Sequence, residues 1–361
     1  MRLLHVVGTR PNLVKMAPVI AALRGADPDG HHVLVHTGQH YDRMMSGIFL
    51  EELGVPEPDH MLGVGSGSHA QMLAGVLARV APVLEAERPD LVIVPGDVNS
   101  TLATALACAH LRVPLAHVES GLRSFDRTMP EEVNRVLVDQ VSDLLFTHSP
   151  EALDNLAAEG VSQERVRLVG NTMIDSLVAL EHRFRDRRAC AQHGLEPGSY
   201  LLVTLHRPAL VDGPLLLTAL ERLARVAEGM PVLFPVHPRT RARLGEAAAS
   251  LPEALRLIEP VGYLDFLSLE AEARAVLTDS GGIQEETSYL GVRCFTLRDN
   301  TERPITISAG TNELLGLDPE RIAEIPELIE SAQDVASEPP PLWDGHAAER
   351  LAAEVVSLLR A

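Results

Sequence analysis

The chain has 361 residues, a length typical of two domains, and a formal net charge of −19. So acidic a surface repels nucleic acid and anionic membranes, so neither is an expected partner. Three scattered cysteines show no metal-binding spacing and suit a reducing cytoplasm. No apolar stretch is long enough to span a bilayer, and the first residues predict a strand and not a signal peptide.

Short apolar runs alternate with helical patterns, as expected for repeated βα units. In the first half they predict strands at 2–7, 33–36, 91–94, 115–118, 144–147 and 166–169. In the second half they predict strands at 200–205, 232–236, 255–258, 275–278 and 293–297. The predicted helices include 14–24, 69–87, 100–111, 130–142 and about 346–360. This pattern predicts an α/β fold with two Rossmann-like domains.

The break between the two halves is predicted near a charged helical segment that follows residue 177. We therefore expect an N-terminal domain at 1–172, a C-terminal domain at 173–345 and a last helix at 346–361. The last helix is expected to pack back on the first domain. In open α/β sheets, ligands bind beyond the carboxyl ends of the strands, so the residues there are the candidate site.

In the second half, the segment DSGGIQEE, which starts at residue 279, follows a strand and begins a helix. Ser280 is placed to cap that helix, and Gly281 and Gly282 let backbone N–H groups approach a phosphate. Glu286 lies where a carboxylate could accept the hydroxyls of a ribose. An ordinary capped helix with acids in its first turns accounts for the same residues.

Cationic side chains follow other strands of this half. His206 and Arg207 end one strand, His237 ends the next, and Arg303 lies in a loop at the same edge. A His with an Arg beside a diphosphate could stabilise the charge of a leaving group. A lone His at a strand end is as often structural or solvated, and a surface ion pair would equally explain Arg303.

In the first half, GTRPNLVKMAP turns sharply from the first strand into a helix that carries Arg10 and Lys15. These two cations could face the strand ends, although a solvated Lys at a helix start is the simpler alternative. The segment is neither G-x-G-x-x-G nor a P-loop, so it indicates neither NAD nor ATP. Asp27-Pro28-Asp29 is similar to a glycosyltransferase metal motif but follows a helix. We expect no metal and no cofactor.

Acidic residues also follow strands of the first half. Asp97 and Glu119 come directly after two strands, and Glu131 lies four residues before Arg135 at a helix start. Asp97 could simply cap the helix that begins near Ser100, and Glu131 with Arg135 could be only a salt bridge. Three carboxylates at one edge would repel one another, which favours one acting as an acid and another as a base.

Taken together, the motifs resemble the non-hydrolysing UDP-N-acetylglucosamine 2-epimerase family. The resemblance runs in order through GTRPN at 8, TGQHYD at 37, GSGSHAQM at 65, PGDVNST at 95, HVESGLRSFDRTMPEEVNR at 117, GNTMIDSL at 170, TLHRP at 204, PVHPRT at 235, DSGGIQEE at 279, RDNTERP at 298 and GTNELLG at 310. Eleven such strings in register are highly specific.

The resemblance implies a glycosyltransferase-B-like pair of Rossmann domains with the active site between them. It implies that the catalytic residues are Asp97, Glu119, Glu131 and His206, the last assisting the departing diphosphate. The implied or candidate contacts to substrate and UDP are Arg10, Lys15, Arg135, Arg207, His237, Ser280, Gly281, Gly282, Glu286 and Arg303. It also implies a homodimer that supplies precursors of envelope or capsular polysaccharides.

Two positions depart from the family pattern. Position 12 is Asn where many members carry Glu, which marks a subgroup. Some bacterial members bind a second, activating UDP-N-acetylglucosamine, for which Gln39, His40 and Gln71 are the candidates here. In this chain His69 replaces the Arg of that site, so the activating site is carried over only in part.

The implied reaction interconverts UDP-N-acetylglucosamine and UDP-N-acetylmannosamine. The C2 proton of the sugar is not acidic, so anti elimination of UDP and its re-addition through a 2-acetamidoglucal is the expected route. Glu119 or Glu131 would shuttle the proton with Asp97 as its partner. A glycosyltransferase of the same fold and a non-catalytic sugar-nucleotide sensor are the alternatives, and a diacetamido uronic acid derivative is an alternative substrate.

Overall fold

The computed structural model describes residues 1–38, 50–236, 238–245, 251–331 and 338–360. The chain forms two compact units, one of Met1–Ala179 with Pro341–Ala361 and one of Leu180–Pro340. The predicted boundary lay at 172/173, whereas the units divide within a helix, Thr172–Arg185. The C-terminal segment belongs to the first unit from Pro341 onwards, a few residues earlier than predicted.

The first unit is built on a seven-stranded parallel sheet. Its strands are β1 (Arg2–Val7), β2 (His31–His36), β3 (His60–Met61), β4 (Leu91–Pro95), β5 (Leu115–Val118), β6 (Leu144–Thr147) and β7 (Val166–Leu168). Their order in the sheet is β3-β2-β1-β4-β5-β6-β7. Strands β2 and β3 are added on one side of β1, and strands β4 to β7 on the other. The place between β1 and β4 where the order of the strands reverses is the switch point of the sheet, and the carboxyl ends of these two strands mark the expected ligand site.

Helices cover both faces of this sheet. They are α1 (Arg10–Ala26), α2 (His69–Glu87), α3 (Asn99–Leu111), α4 (Pro130–Val141), α5 (Pro150–Ala158), α6 (Thr172–Arg185) and the C-terminal α15 (Ala347–Arg360). Successive strand residues point to opposite faces, so Leu3 packs in one core with α1 and α15, and Leu4 packs in another with α2 and α3. Leu351 and Val355 of α15 are fully buried in the first of these cores.

The second unit repeats this arrangement on a six-stranded parallel sheet. Its strands are β8 (Leu201–Thr204), β9 (Val232–Pro235), β10 (Leu255–Ile258), β11 (Ala275–Thr278), β12 (Arg293–Thr296) and β13 (Asn312–Leu314), in the order β10-β9-β8-β11-β12-β13. Its helices are α7 (Ala189–Gln192), α8 (Pro208–Val211), α9 (Leu215–Val226), α10 (Pro238–Leu244), α11 (Tyr263–Glu272), α12 (Gly281–Leu290), α13 (Ile305–Ser308) and α14 (Ile325–Ser331). Strands β9 and β10 lie on one side of β8 and strands β11 to β13 on the other, so the switch point of this sheet lies between β8 and β11.

The prediction of an α/β protein with two Rossmann-like sheets is confirmed. All the predicted strands are present, and the structure adds β3 and β13, which are two and three residues long. Helix α1 begins at Arg10 and not at 14, because Pro11 suits its first turn and Thr9 with Asn12 forms a capping box. Among the described helices, none has the length and apolar character needed to cross a bilayer.

Gly170 offers a test of how the C-terminal segment is held. Its backbone has a φ of 95°, and a Cβ there would overlap the carbonyl oxygen of Leu342. Gly160 has a similar φ of 77° but open space around it. We expect Gly160→Ala to lower the free energy of unfolding by about 1–2 kcal/mol, the cost of a left-handed alanine. Gly170→Ala should lose about 1–3 kcal/mol more through the overlap, measured by urea denaturation. Equal losses in the two variants would contradict this packing.

Candidate functional site

Lys15 and Glu119 form an ion pair at the carboxyl edge of the first sheet. Both side chains are largely buried, with exposed fractions of 12% and 8%. A Cβ added at Gly96 would lie 3.4 Å from Lys15 Nζ, 3.5 Å from Glu119 Oε2 and 3.6 Å from Asn12 Nδ2. Polar groups from α1, the β4 turn and the β5 turn therefore meet at one point, and Lys15 is not the solvated residue of the simpler alternative.

Glu119 has a backbone conformation that is rare for a residue with a side chain. Its φ is 67°, in the left-handed region, which costs about 1–2 kcal/mol for a non-glycine residue. Such strain persists only where the surroundings hold it, and it is concentrated at functional sites. The turn after β5 therefore holds Glu119 in a strained conformation at the edge of the sheet where a ligand site is expected.

Asp97 is bound by a cation and does not cap a helix. The N-cap of α3 is Val98, whereas Asp97 Oδ2 accepts from Arg135 Nη2 at 2.5 Å. Arg135 also donates to Glu132 Oε2 at 2.8 Å, and Glu132 accepts the backbone N–H groups of the preceding loop. The alternative of a Glu131–Arg135 salt bridge is not what the structure contains, because Arg135 pairs with Glu132 instead.

Glu131 and Arg10 each lie in the first turn of a helix and are half-buried. Within the part of the chain that the structure describes, neither side chain has an ion-pair partner. Glu131 is thus distinguished from Asp97 and Glu119, each of which is paired with a cation. The pairing of two of the three carboxylates offsets the like-charge repulsion expected among them.

Asp279 joins the two strand ends at the switch point of the second sheet. Its Oδ2 accepts the backbone N–H groups of His206 at 2.9 Å and Arg207 at 2.7 Å, and its Oδ1 lies 3.0 Å from Nδ1 of His206. Burial would raise the pKa of Asp279, but these donors lower it below its usual value. The His206 ring is therefore oriented by a buried carboxylate while most of its side chain stays exposed.

The first turn of α12 lies beside a buried arginine. Ser280 is the N-cap, but its side chain makes no capping hydrogen bond, contrary to the expectation that it caps the helix. Arg303 is 5% exposed and pairs with Glu285 at 2.9 Å and with Glu302 at 2.8 Å, so it is not in a surface ion pair. A Cβ at Gly281 would lie 2.5 Å from Arg303 Nη1, so only glycine allows this approach. Uncapped N–H groups beside a guanidinium form an anion-binding arrangement.

Glu286 belongs to a buried group of acids. Tyr263 donates to its Oε1 at 3.0 Å, and Glu270 is a second buried carboxyl whose charge interacts with that of Glu286. Burial raises the pKa of Glu286 to about 7, with a further contribution from Glu285, and burial and Glu286 raise the pKa of Glu270. Glu286 is therefore held in place by Tyr263 and shares its buried environment with a second acid.

Three of the predicted residues, Gln39, His40 and His237, lie outside the described residues. Gln71 is exposed at the start of α2, where its side chain accepts from Ser68 N at 3.0 Å in a capping box.

Sequence reasoning missed Asp279, Glu132 and Glu270. Asp279 opens the DSGG segment and directly follows a strand, which is the signal that pointed to Asp97. Glu270 lies three residues after Leu267 on the buried face of α11, which was the available signal for a buried acid.

Substitution of Glu270 tests the buried acid pair. The raised pKa values mean that the folded state keeps protons that the unfolded state releases above about pH 4.5, so stability falls as pH rises towards and through about 7. Glu270→Gln keeps the size of the side chain but cannot ionise. The variant should lose less stability than the parent between pH 5 and pH 8, as measured by thermal unfolding at each pH.

The exposed Glu253 provides the control for this experiment. Glu253→Gln should follow the pH dependence of the parent. A Glu270→Gln curve that runs parallel to the parent curve would refute the raised pKa of Glu270.

Comparison with known proteins identifies the family. The sequence model of the family described as UDP-N-acetylglucosamine 2-epimerase matches residues 24–356 of this chain. The UDP-N-acetylglucosamine 2-epimerase of Methanocaldococcus jannaschii is 41% identical over 345 residues, which cover 91% of this chain and 92% of that protein. The UDP-2,3-diacetamido-2,3-dideoxy-D-glucuronate 2-epimerase of Pseudomonas aeruginosa is also 41% identical, over 90% of this chain and 91% of that one.

Solved structures are also similar to this chain. A crystal structure of the M. jannaschii UDP-GlcNAc 2-epimerase in complex with UDP-GlcNAc and UDP has a TM-score of 0.88, with 38% identity over 99% of this chain and 100% of that one. A glycosyltransferase of kitacinnamycin shares the fold alone, with a TM-score of 0.60 at 15% identity over 99% of this chain and 98% of that one. The chain belongs to the UDP-N-acetylglucosamine 2-epimerase family.

Proposed function

We propose that this protein interconverts UDP-N-acetylglucosamine and UDP-N-acetylmannosamine by elimination and re-addition of UDP. The observation that carries the proposal is the complementary chemistry of the two switch points. The first unit holds carboxylates paired with Lys15 and Arg135, and the second holds uncapped helix N–H groups beside Arg303. Proton transfer at carbon and the binding of a diphosphate need these two sets of groups.

The second unit binds the UDP portion in this proposal. The first turn of α12 and Arg303 receive the diphosphate, and Glu286 accepts the ribose hydroxyls. Because Asp279 contacts Nδ1 of His206, Nε2 of that ring is the atom that donates to the departing phosphate. Arg207, whose Nε donates to the Asp279 carbonyl at 2.8 Å, and His237 are further proposed contacts to UDP.

The first unit moves the proton. Pairing with Lys15 favours the ionised form of Glu119, which suits a base that removes the C2 proton. As that proton leaves, the C1–O bond to UDP breaks and a 2-acetamidoglucal forms. Glu131, without a cation partner among the described residues, suits the acid that returns a proton to the opposite face of C2 while UDP re-adds to C1. Asp97, held by Arg135, and Arg10 contact the sugar in this proposal.

Family membership argues against the glycosyltransferase and sensor alternatives, because the related proteins are named as epimerases. The names of the related proteins give two candidate substrates, UDP-N-acetylglucosamine and UDP-2,3-diacetamido-2,3-dideoxy-D-glucuronate. We propose UDP-N-acetylglucosamine, which is also the sugar nucleotide in the complex of the similar M. jannaschii epimerase.

We also propose that the protein acts as a homodimer in the cytoplasm. Cys108, Cys190 and Cys294 are all buried and free, which fits a reducing compartment. A light-scattering measurement during size-exclusion chromatography tests the dimer.

Deuterium exchange tests the reaction. Incubation with UDP-N-acetylglucosamine in D₂O should incorporate deuterium at C2 and give both epimers, because the proton is lost to a carboxylate that exchanges with solvent. Glu119→Gln should slow this incorporation by at least about 100-fold, as expected for loss of a general base. NMR and mass spectrometry measure the exchange.

The exposed Glu164 of the same unit supplies the control, since Glu164→Gln should leave the rate unchanged. Absence of exchange unless a sugar acceptor is added would indicate a glycosyltransferase. Exchange only with UDP-2,3-diacetamido-2,3-dideoxyglucuronate would reassign the substrate.

Gly281→Ala tests the diphosphate site. The added Cβ should displace Arg303 and weaken UDP binding by about tenfold or more, equivalent to about 1.4 kcal/mol. Gly262, at the N-terminus of α11, has room for a Cβ, with its nearest neighbour at 3.8 Å, and Gly262→Ala is the matched control. Calorimetric titration with UDP measures both variants. An unchanged affinity in Gly281→Ala would exclude this site for the diphosphate.

A further inference from the structure

His117 is a buried histidine that the proposed reaction does not use directly. It lies on β5, two residues before Glu119, and its side chain is 0% exposed. Its Nδ1 lies 2.7 Å from Asp139 Oδ1, and its Nε2 lies 2.7 Å from the carbonyl oxygen of Gly96. Both ring nitrogens are therefore engaged, one with α4 and one with the turn that precedes Asp97.

The partners of His117 hold both of its ring nitrogens. The Gly96 carbonyl can only accept, so Nε2 donates to it. Nδ1 contacts Oδ1 of Asp139, whose Oδ2 accepts from Gly121 N at 3.1 Å and pairs with Arg123 at 2.7 Å. The ring and the carboxylate therefore fix each other's position.

The cluster extends to a second carboxylate. Arg123 also pairs with Glu159 at 2.6 Å, and of these four side chains that of Glu159 alone is partly exposed. Removing one member of such a set leaves an uncompensated buried charge, which is costly. The geometry of the four groups is therefore tightly specified.

The cluster connects the segments that carry the proposed catalytic acids. Gly96 immediately precedes Asp97, and Gly121 N ends the turn that contains Glu119. Asp139 lies on α4, the helix whose first turn contains Glu131. The hydrogen bonds of His117 and Asp139 also lie on both sides of the strained Glu119 backbone, two residues before it and two after it. A left-handed glutamate needs such constraints on both sides.

We propose that His117 and Asp139 are positioning residues for the epimerisation: their paired hydrogen bonds fix the backbone on which Asp97 and Glu119 meet the sugar. The inference rests on the proposed function for its substrate. Neither residue contacts the reacting atoms; they act through the turns after β4 and β5. A displacement of a catalytic group by about 1 Å costs on the order of 100-fold in rate.

Steady-state kinetics with UDP-N-acetylglucosamine tests this role. His117→Gln should lower kcat for C2 epimerisation by about 10- to 100-fold while KM and the calorimetric affinity for UDP change by less than about threefold. His5→Gln is the matched control, since His5 is also a buried histidine on a strand of the same sheet, 1% exposed. It should lower the thermal unfolding temperature without lowering kcat.

Asp139→Asn changes the other partner of the same hydrogen bond, and it is the variant to test if His117→Gln does not fold. It should reproduce the loss of kcat at constant KM, and the double variant should lose little more than the larger of the two single losses, because both changes remove the His117–Asp139 hydrogen bond. Retention of kcat in a folded His117→Gln or Asp139→Asn, or a loss confined to KM, would overturn the positioning role. Failure of the parent protein to epimerise the sugar would instead overturn the proposed function.

Discussion

The need to pair charges away from water governs the groups at the strand ends. An ion without a partner is expensive to bury, so each charge that is withdrawn from solvent requires an opposite charge or several donors. The pairs at the two switch points are Lys15–Glu119, Arg135–Asp97, His206–Asp279 and Arg303–Glu285. Although the chain is strongly acidic overall, each of these four acids has a cationic side chain beside it. The net charge of the chain therefore does not determine the local charge of these sites.

The two sheets use one topology for different purposes. In each unit the strand order reverses at one place, and the turns on either side of it carry the polar groups. The first unit fills these turns with acids whose backbones are constrained, as the φ of Glu119 shows. The second unit uses glycine and uncapped N–H groups, so that its donors stay available to an anion. The two switch points therefore present different groups, paired carboxylates in the first unit and uncapped backbone N–H groups in the second.

Sequence periodicity was sufficient for the fold and for the strand ends, because buried parallel strands are short apolar runs. It failed for β3 and β13, whose two and three residues are defined by pairing with a neighbouring strand and not by their own pattern. At Asp97 the sequence allowed either a helix cap or a functional carboxylate. Only the position of Arg135, far along the chain, decides between the cap and the ion pair. Contacts between distant segments, like that of Asp279 with His206, leave no local signal.

Helix α15 has a consequence for how the protein is made. Its Leu351 and Val355 complete a core whose other members come from β1, α1 and neighbouring strands of the N-terminal half. During synthesis these residues leave the ribosome after every residue of the second unit. Domains generally fold as they emerge, the N-terminal one first, but this unit cannot close its apolar face until helix α15 has been translated. The nascent first unit must therefore wait, with that face exposed, for the whole second unit to be translated, which makes chaperone protection most valuable in that interval.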